Sequence, residues 1–117
     1  MSSVSLPTVV DELLSEARTA RSGRAARTVR GHAEHNLRHT VIALAAGKGL
    51  ADHESPGEAT LQVLRGTVRL TTPDGEWRGA AGDLVDIPDA RHGLTADEDA
   101  AVLLTVVLGT SHSSRDT

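Results

Sequence analysis

Gly47-Lys48-Gly49-Leu50-Ala51-Asp52-His53-Glu54-Ser55-Pro56-Gly57-Glu58-Ala59-Thr60-Leu61-Gln62-Val63-Leu64-Arg65-Gly66 decides the fold, and Gly82-Asp83-Leu84-Val85-Asp86-Ile87-Pro88-Asp89-Ala90-Arg91-His92 completes it. Glycines at 47 and 82 stand at turn positions, and Pro88 ends a strand because it offers no ladder donor. Strand alternation puts positions 53, 55, 59, 61 and 63 on one face. His53 and His92 therefore flank strands that line one interior.

Outward from this stretch the pattern stays β-like. Short runs at Ala26–Arg30, Leu37–Ala45, Thr60–Arg65, Thr67–Thr72, Leu84–Ile87 and Ala101–Leu108 are punctuated by glycine, as in a barrel or sandwich. In Thr67-Val68-Arg69-Leu70-Thr71 polar and apolar residues alternate, turning Val68 and Leu70 inward. Thr72-Pro73-Asp74-Gly75 carries turn chemistry, so the chain returns through Glu76-Trp77-Arg78 as a hairpin. Trp77 is expected to be partly buried at a sheet edge or a subunit interface. Before the strands, Ser5-Leu6-Pro7 opens a helix, and apolar residues recur at helical spacing from Val9 to Ala17. The spacing predicts one amphipathic helix over about residues 8–22, stopped by Gly23.

The spacing Gly47-x5-His53-x-Ser55-x3-Ala59-x6-Gly66 resembles the first cupin motif, G-x5-H-x-H-x3-E-x6-G, and Gly82-x5-Pro88-x-Ala90-x-His92 is similar to the second. The second match is good through Pro88; after it the chain is one residue short before the histidine. The chain resembles a small single-domain cupin of the RmlC-like superfamily, cupin type 2, of the bacterial stand-alone kind. That resemblance implies an all-β fold: an antiparallel cupin β-barrel (double-stranded β-helix, or jelly roll) with one short N-terminal α-helix. The organisation expected is a helical segment at 1–23, a barrel at 24–109 and a flexible tail at 110–117.

In metal-binding cupins two histidines and a glutamate of the first motif join the second-motif histidine around an ion. Here Ser55 and Ala59 replace two of those ligands, leaving His53 and His92. Two imidazoles rarely retain a divalent ion, since stable sites generally need three or four donors. Glu58 could supply a third if Pro56-Gly57 distorts the strand, and Glu54 is a weaker candidate of the same kind. Two readings stand side by side. In one, His53, Gln62 and His92 bind a small molecule without metal or catalysis. In the other, His53, His92 and Glu58 hold Fe, Mn, Zn or Ni in a dioxygenase- or isomerase-like enzyme. Alternation turns Gln62 outward, which makes it the least secure of these residues.

Composition sets the remaining bounds. The 117 residues suit one domain, burying roughly two-thirds of the unfolded chain's surface. There is no Phe or Tyr and one Trp, so Val, Leu, Ile and Ala must fill the core. Without cysteine there are no disulfides, thiolate ligands or cysteine nucleophile. Residues 1–47 hold six Arg against four acids, and residues 48–117 six basic residues against twelve acids. This acidic body argues against a nucleic-acid partner. No signal-like or membrane-spanning run is read, so a soluble cytoplasmic protein is expected, with a small polar metabolite as partner and no membrane. The resemblance adds a homodimer, to which an outward Leu64 and the helix could contribute.

Three other patterns take simpler readings. His32-x2-His35-x3-His39 would gather three imidazoles only on a helix, and Gly31 and the β-like run after it favour solvated hairpin histidines. Arg18, Arg21, Arg24, Arg27 and Arg30 cannot share one face across Gly23. Asp97-Glu98-Asp99 reads as an exposed turn before the last strand.

Overall fold

The computed structural model describes residues 1–54 and 57–108. Helix α1 spans Leu6–Thr19, opened by Ser5, whose Oγ accepts from the Thr8 N–H. It ends three residues earlier than the spacing predicts. Ala17 is its last buried residue, and Ala20 adopts an extended conformation that leads the chain toward the first strand. With no apolar contact beyond Ala17, nothing favours another turn.

Among the described residues nine strands follow: β1 Arg24–Arg30, β2 Leu37–Leu44, β3 Gly49–His53, β4 Glu58–Arg65, β5 Thr67–Thr72, β6 Gly75–Ala80, β7 Leu84–Asp86, β8 His92–Ala96 and β9 Ala100–Val107. They form two antiparallel sheets, ordered β1-β2-β9-β4-β7 and β3-β8-β5-β6. This is a jelly roll with α1 on one outer face. Its sheets do not close into a continuous hydrogen-bonded barrel, because the chain changes sheet at turns instead of continuing strands around a corner. At Gly66 it crosses from β4 to β5 with φ +76°, and a Cβ there would overlap the Asp99 carbonyl. Gly82, φ +96°, makes the return crossing from β6 to β7. Both positions need the left-handed backbone that glycine adopts without steric cost.

The hairpin β5–β6 has the predicted register, with Thr72 opposite Gly75 and Leu70 opposite Trp77. Trp77 is half-buried on this edge strand, its ring lying where a Cβ on Gly79 would sit. The strands β3 and β8 were not foreseen as separate elements; both are five residues long and contain glycine. The histidine pattern 32/35/39 is indeed not helical: His32 and His35 lie in the β1–β2 connection and His39 in β2.

Alternation divides the first sheet. Ile42, Leu44, Ala100 and Val102 join Leu61, Val63, Val68, Leu70, Leu94 and Ala96 between the sheets. Val41, Ala43 and Ala101 point the other way, onto Val9, Val10, Leu13, Leu14 and Ala17 of the helix. Leu64, on that same outer face, packs against the helix within the chain.

The turn at 97–99 does more than face solvent. Asp99 Oδ2 accepts from Arg18 Nε at 2.8 Å, and its Oδ1 accepts from the Ala46 N–H at 2.9 Å, tying the helix end to a sheet crossing. The Arg18 hydrogen bond first, then the Ala46 N–H, hold the Asp99 carboxyl below its ordinary range. Asp97 likewise accepts from Arg69 Nε at 2.7 Å.

Two outcomes follow. Leu14→Ala should cost about 2–5 kcal/mol of unfolding free energy by urea titration, because it opens a cavity in a fully buried contact. Asp99→Asn should lower the melting temperature at pH 7 by about 1–4 °C, the scale of an exposed ion pair. Because the folded carboxyl is depressed, its stabilisation is present above the unfolded carboxylate range and lost as pH falls through the lowered folded value. The variant and parent curves should therefore converge on acidification in scanning calorimetry.

Candidate functional site

The two motif histidines meet as a cross-strand pair. His53 on β3 stands opposite His92 on β8, and a register shift between Leu50 and His53 puts both of those β3 side chains on the inner face although they are three positions apart. Such a bulge re-aims a side chain at the end of a strand. The rings are edge-to-face, with centroids 4.5 Å apart and planes at 60°. His92 is the one buried polar residue among the described residues, 4% exposed, while His53 reaches solvent. The pair thus spans the boundary between the aliphatic interior and water.

Each ring is held by the strand that carries it. His53 Nδ1 lies 2.9 Å from the Ala51 carbonyl oxygen, and His92 Nδ1 lies 2.9 Å from the Ala90 carbonyl oxygen. Carbonyl oxygens only accept, so both Nδ1 atoms donate, and in the neutral rings the lone pairs sit on Nε2. The same hydrogen bond to a carbonyl fixes the orientation of each ring. The rim is polar: Arg91 donates to the Asp52 carbonyl at 3.2 Å and approaches Glu54 at 3.8 Å. The sequence reading passed over Arg91, although it directly precedes His92.

The other candidates sit elsewhere. Gln62 pairs with Leu103 and Leu84, on the face of β4 that carries Leu64 toward the helix. Glu58 shares that outward face, opposite Val107, and is exposed. Ala59 faces inward and packs against the core between the sheets. Ser55 lies outside the described residues, as does the segment assigned to a tail, 110–117.

These placements bear on a metal. Among the described residues no group of three or more His, Asp or Glu side chains converges to hold an ion. His53 and His92 offer two nitrogen donors, and the carboxylate of Glu58 leaves from the opposite side of its strand. The described donor set does not fit a resident three- or four-ligand centre. Below the pair, Leu61, Val63, Leu94 and Val102 fill the interior with aliphatic side chains.

No family model matches the chain, and no curated protein matches it in sequence. Solved structures do match. A conserved Streptococcus pyogenes protein of unknown function is 29% identical, with 79% of this chain and 80% of that one covered at a TM-score of 0.68. An RmlC-like cupin from Desulfovibrio desulfuricans is 24% identical, covering 72% of this chain and 81% of that one at 0.63. The salicylate 1,2-dioxygenase of Pseudaminobacter salicylatoxidans superposes at 0.71 with 19% identity, over 86% of this chain but 33% of its own. No helix among the described residues is long and apolar enough to cross a membrane. Two facing antiparallel sheets, sheet crossings at the motif glycines and agreement with small cupins over most of their length lead to one conclusion: this chain has the cupin fold.

Proposed function

We propose that this protein is a non-catalytic binding or sensing cupin that holds a small polar metabolite at the mouth of its jelly roll. The observation that carries this reading is the His53–His92 pair, one ring buried and one exposed, with both Nδ1 atoms occupied by backbone carbonyls. The two Nε2 atoms are then acceptors for a ligand hydroxyl or ammonium group, while the edge-to-face rings give an apolar wall. Arg91 and Glu54 at the rim supply charge of either sign. This combination of one apolar wall and a few convergent polar atoms is how small-molecule sites orient their ligands. The reading further takes the protein to be cytoplasmic and a homodimer, a state that light scattering measures directly.

The reading in which His53, His92 and Glu58 hold iron, manganese, zinc or nickel for an enzyme would need β4 to turn over at Glu58. Elemental analysis separates the two. Untagged protein, purified without chelator and reloaded with each metal, should hold well under one equivalent. Ala59→Glu combined with Ser55→His, which restores both missing motif ligands, should gain metal. One tight equivalent in the parent, lost in His92→Ala, would overturn the metal-free reading.

Long-range nitrogen–proton NMR should show His53 and His92 both protonated at Nδ1 in their neutral forms. A ligand at 100 times its dissociation constant should stabilise the parent by about 2.7 kcal/mol. In a thermal-shift screen of polar metabolites, His92→Ala should lose that stabilisation.

A further inference from the structure

A concave surface lies on the outer face of the first sheet, beside the N-terminus of α1. It is a groove of about 490 Å³ between the segment preceding the helix and the upper ends of β1, β2 and β9. That volume falls within the roughly 300–1,000 Å³ typical of small-molecule sites. Its walls are mostly aliphatic, with Val29, Leu103, Val4, Leu6 and Leu37 accompanied by Ser2 and Ser3. The described residues expose four large hydrophobic side chains, Met1, Val4, Leu37 and Leu84, and two of these line this one groove. Single exposed apolar residues are ordinary; two converging on a concave apolar floor mark a binding surface.

One end of the groove is cationic. A register shift between Thr28 and Arg30 places Arg30 directly opposite His39, and both line the groove. His39 is oriented by a 3.0 Å hydrogen bond between its Nδ1 and Thr105 Oγ1. Among the described residues Arg18, Arg27, Arg65, Arg69, Arg78 and Arg91 each pair with a carboxylate, whereas Arg30, like Arg21 and Arg24, has none. Nor does its neighbour Arg38, whose Nε is buried without a partner and whose Nη2 donates to the His32 carbonyl at 3.2 Å. In the adjoining β1–β2 connection desolvation first, then the charges of Arg30, His32 and Arg38, disfavour protonation of His35.

We propose that this groove is a binding site for an amphiphilic carboxylate, separate from the mouth of the jelly roll, with the head group on Arg30 and the alkyl chain along Val4, Leu37 and Leu103. The planar guanidinium matches a carboxylate in a two-pronged contact. Beyond the head group the lining is mostly aliphatic, its other polar members being His39, opposite Arg30, and the hydroxyl residues Ser2 and Ser3. The site is independent of His53 and His92, which lie between the sheets.

Isothermal titration calorimetry of the full chain with decanoate, held below its micellar concentration, tests this. Saturable one-site binding is expected. Octanoate, two methylenes shorter, should bind roughly 15-fold more weakly, since each methylene changes affinity by about fourfold. Acetate, with no chain, and decanol, with no charge, should each lose at least tenfold, and Arg30→Gln should weaken decanoate by about tenfold. His92→Ala should leave decanoate binding unchanged, so failure here and failure of the metabolite reading are distinguishable. Methyl NMR of the unmutated chain gives a second readout: Val29, Leu37 and Leu103 should shift on titration. No saturable binding, equal affinity for decanol, indifference to Arg30→Gln, shifts confined to the interior methyls, or occupation of the groove by a second copy in place of decanoate would each overturn the proposal.

Discussion

The first sheet is buried on both sides along β2 and β9, and the rest of the molecule depends on that double burial. One residue of each adjacent pair serves the jelly-roll interior and the next serves the helix: Ile42 and Leu44 face inward while Val41 and Ala43 face α1, with Val102 and Ala101 dividing the same way. A one-residue slip of either strand would exchange the two sets. Register is thereby fixed without any large aromatic residue in those strands. Ala17, Ala43 and Ala101, all fully buried, have short side chains that let the helix approach the sheet closely. Close approach matters in an aliphatic core, where each buried Val, Leu or Ile contributes only about 1.5–3 kcal/mol.

That packing limits what the interior can do. Among the described residues Leu61, Val63, Leu94 and Val102 fill the central levels of the jelly roll, and the His53–His92 pair lies at the end where β3 and β8 pair. His92 is set at the last buried level and His53 just beyond it. The bulge after Leu50 brings the pair together; without it, strict alternation from the inward Leu50 would turn His53 to solvent.

The sequence is most legible where backbone requirements and side-chain pattern agree. Val68 and Leu70, followed by Pro73-Asp74-Gly75, specify a strand and its return, and the observed hairpin has that register. Gly66 and Gly82 mark sheet crossings because few other residues tolerate their φ values. Alternation from Leu61 and Val63 also places Glu58 and Gln62 outward, as the structure does. Legibility fails where the strand departs from period two or is very short. β3 and β8 carry too few apolar residues to stand out, and the shift at Leu50–His53 arises from tertiary pairing. The groove beside Arg30 was hidden for a similar reason: read in one dimension, Arg30 belonged to a solvated series, whereas the irregularity after Thr28 sets it against His39.

The chain also separates two properties that a motif fuses. Position 59 faces the interior because β4 pairs with β9 and β7 in a fixed register, and its alanine packs on aliphatic neighbours. Nothing in that register requires a carboxylate. The glycines, by contrast, are held by backbone geometry: a side chain on Gly66 would collide with the 99–100 backbone whatever the pocket contained. Scaffold positions and donor positions therefore respond to different physical demands. A chain of this fold can carry alanine at 59, because an inward carboxylate there would bring a desolvation cost that a bound cation or hydrogen-bonding partners would have to offset. The two imidazoles at the mouth are held by backbone instead, His53 Nδ1 against the Ala51 carbonyl and His92 Nδ1 against the Ala90 carbonyl.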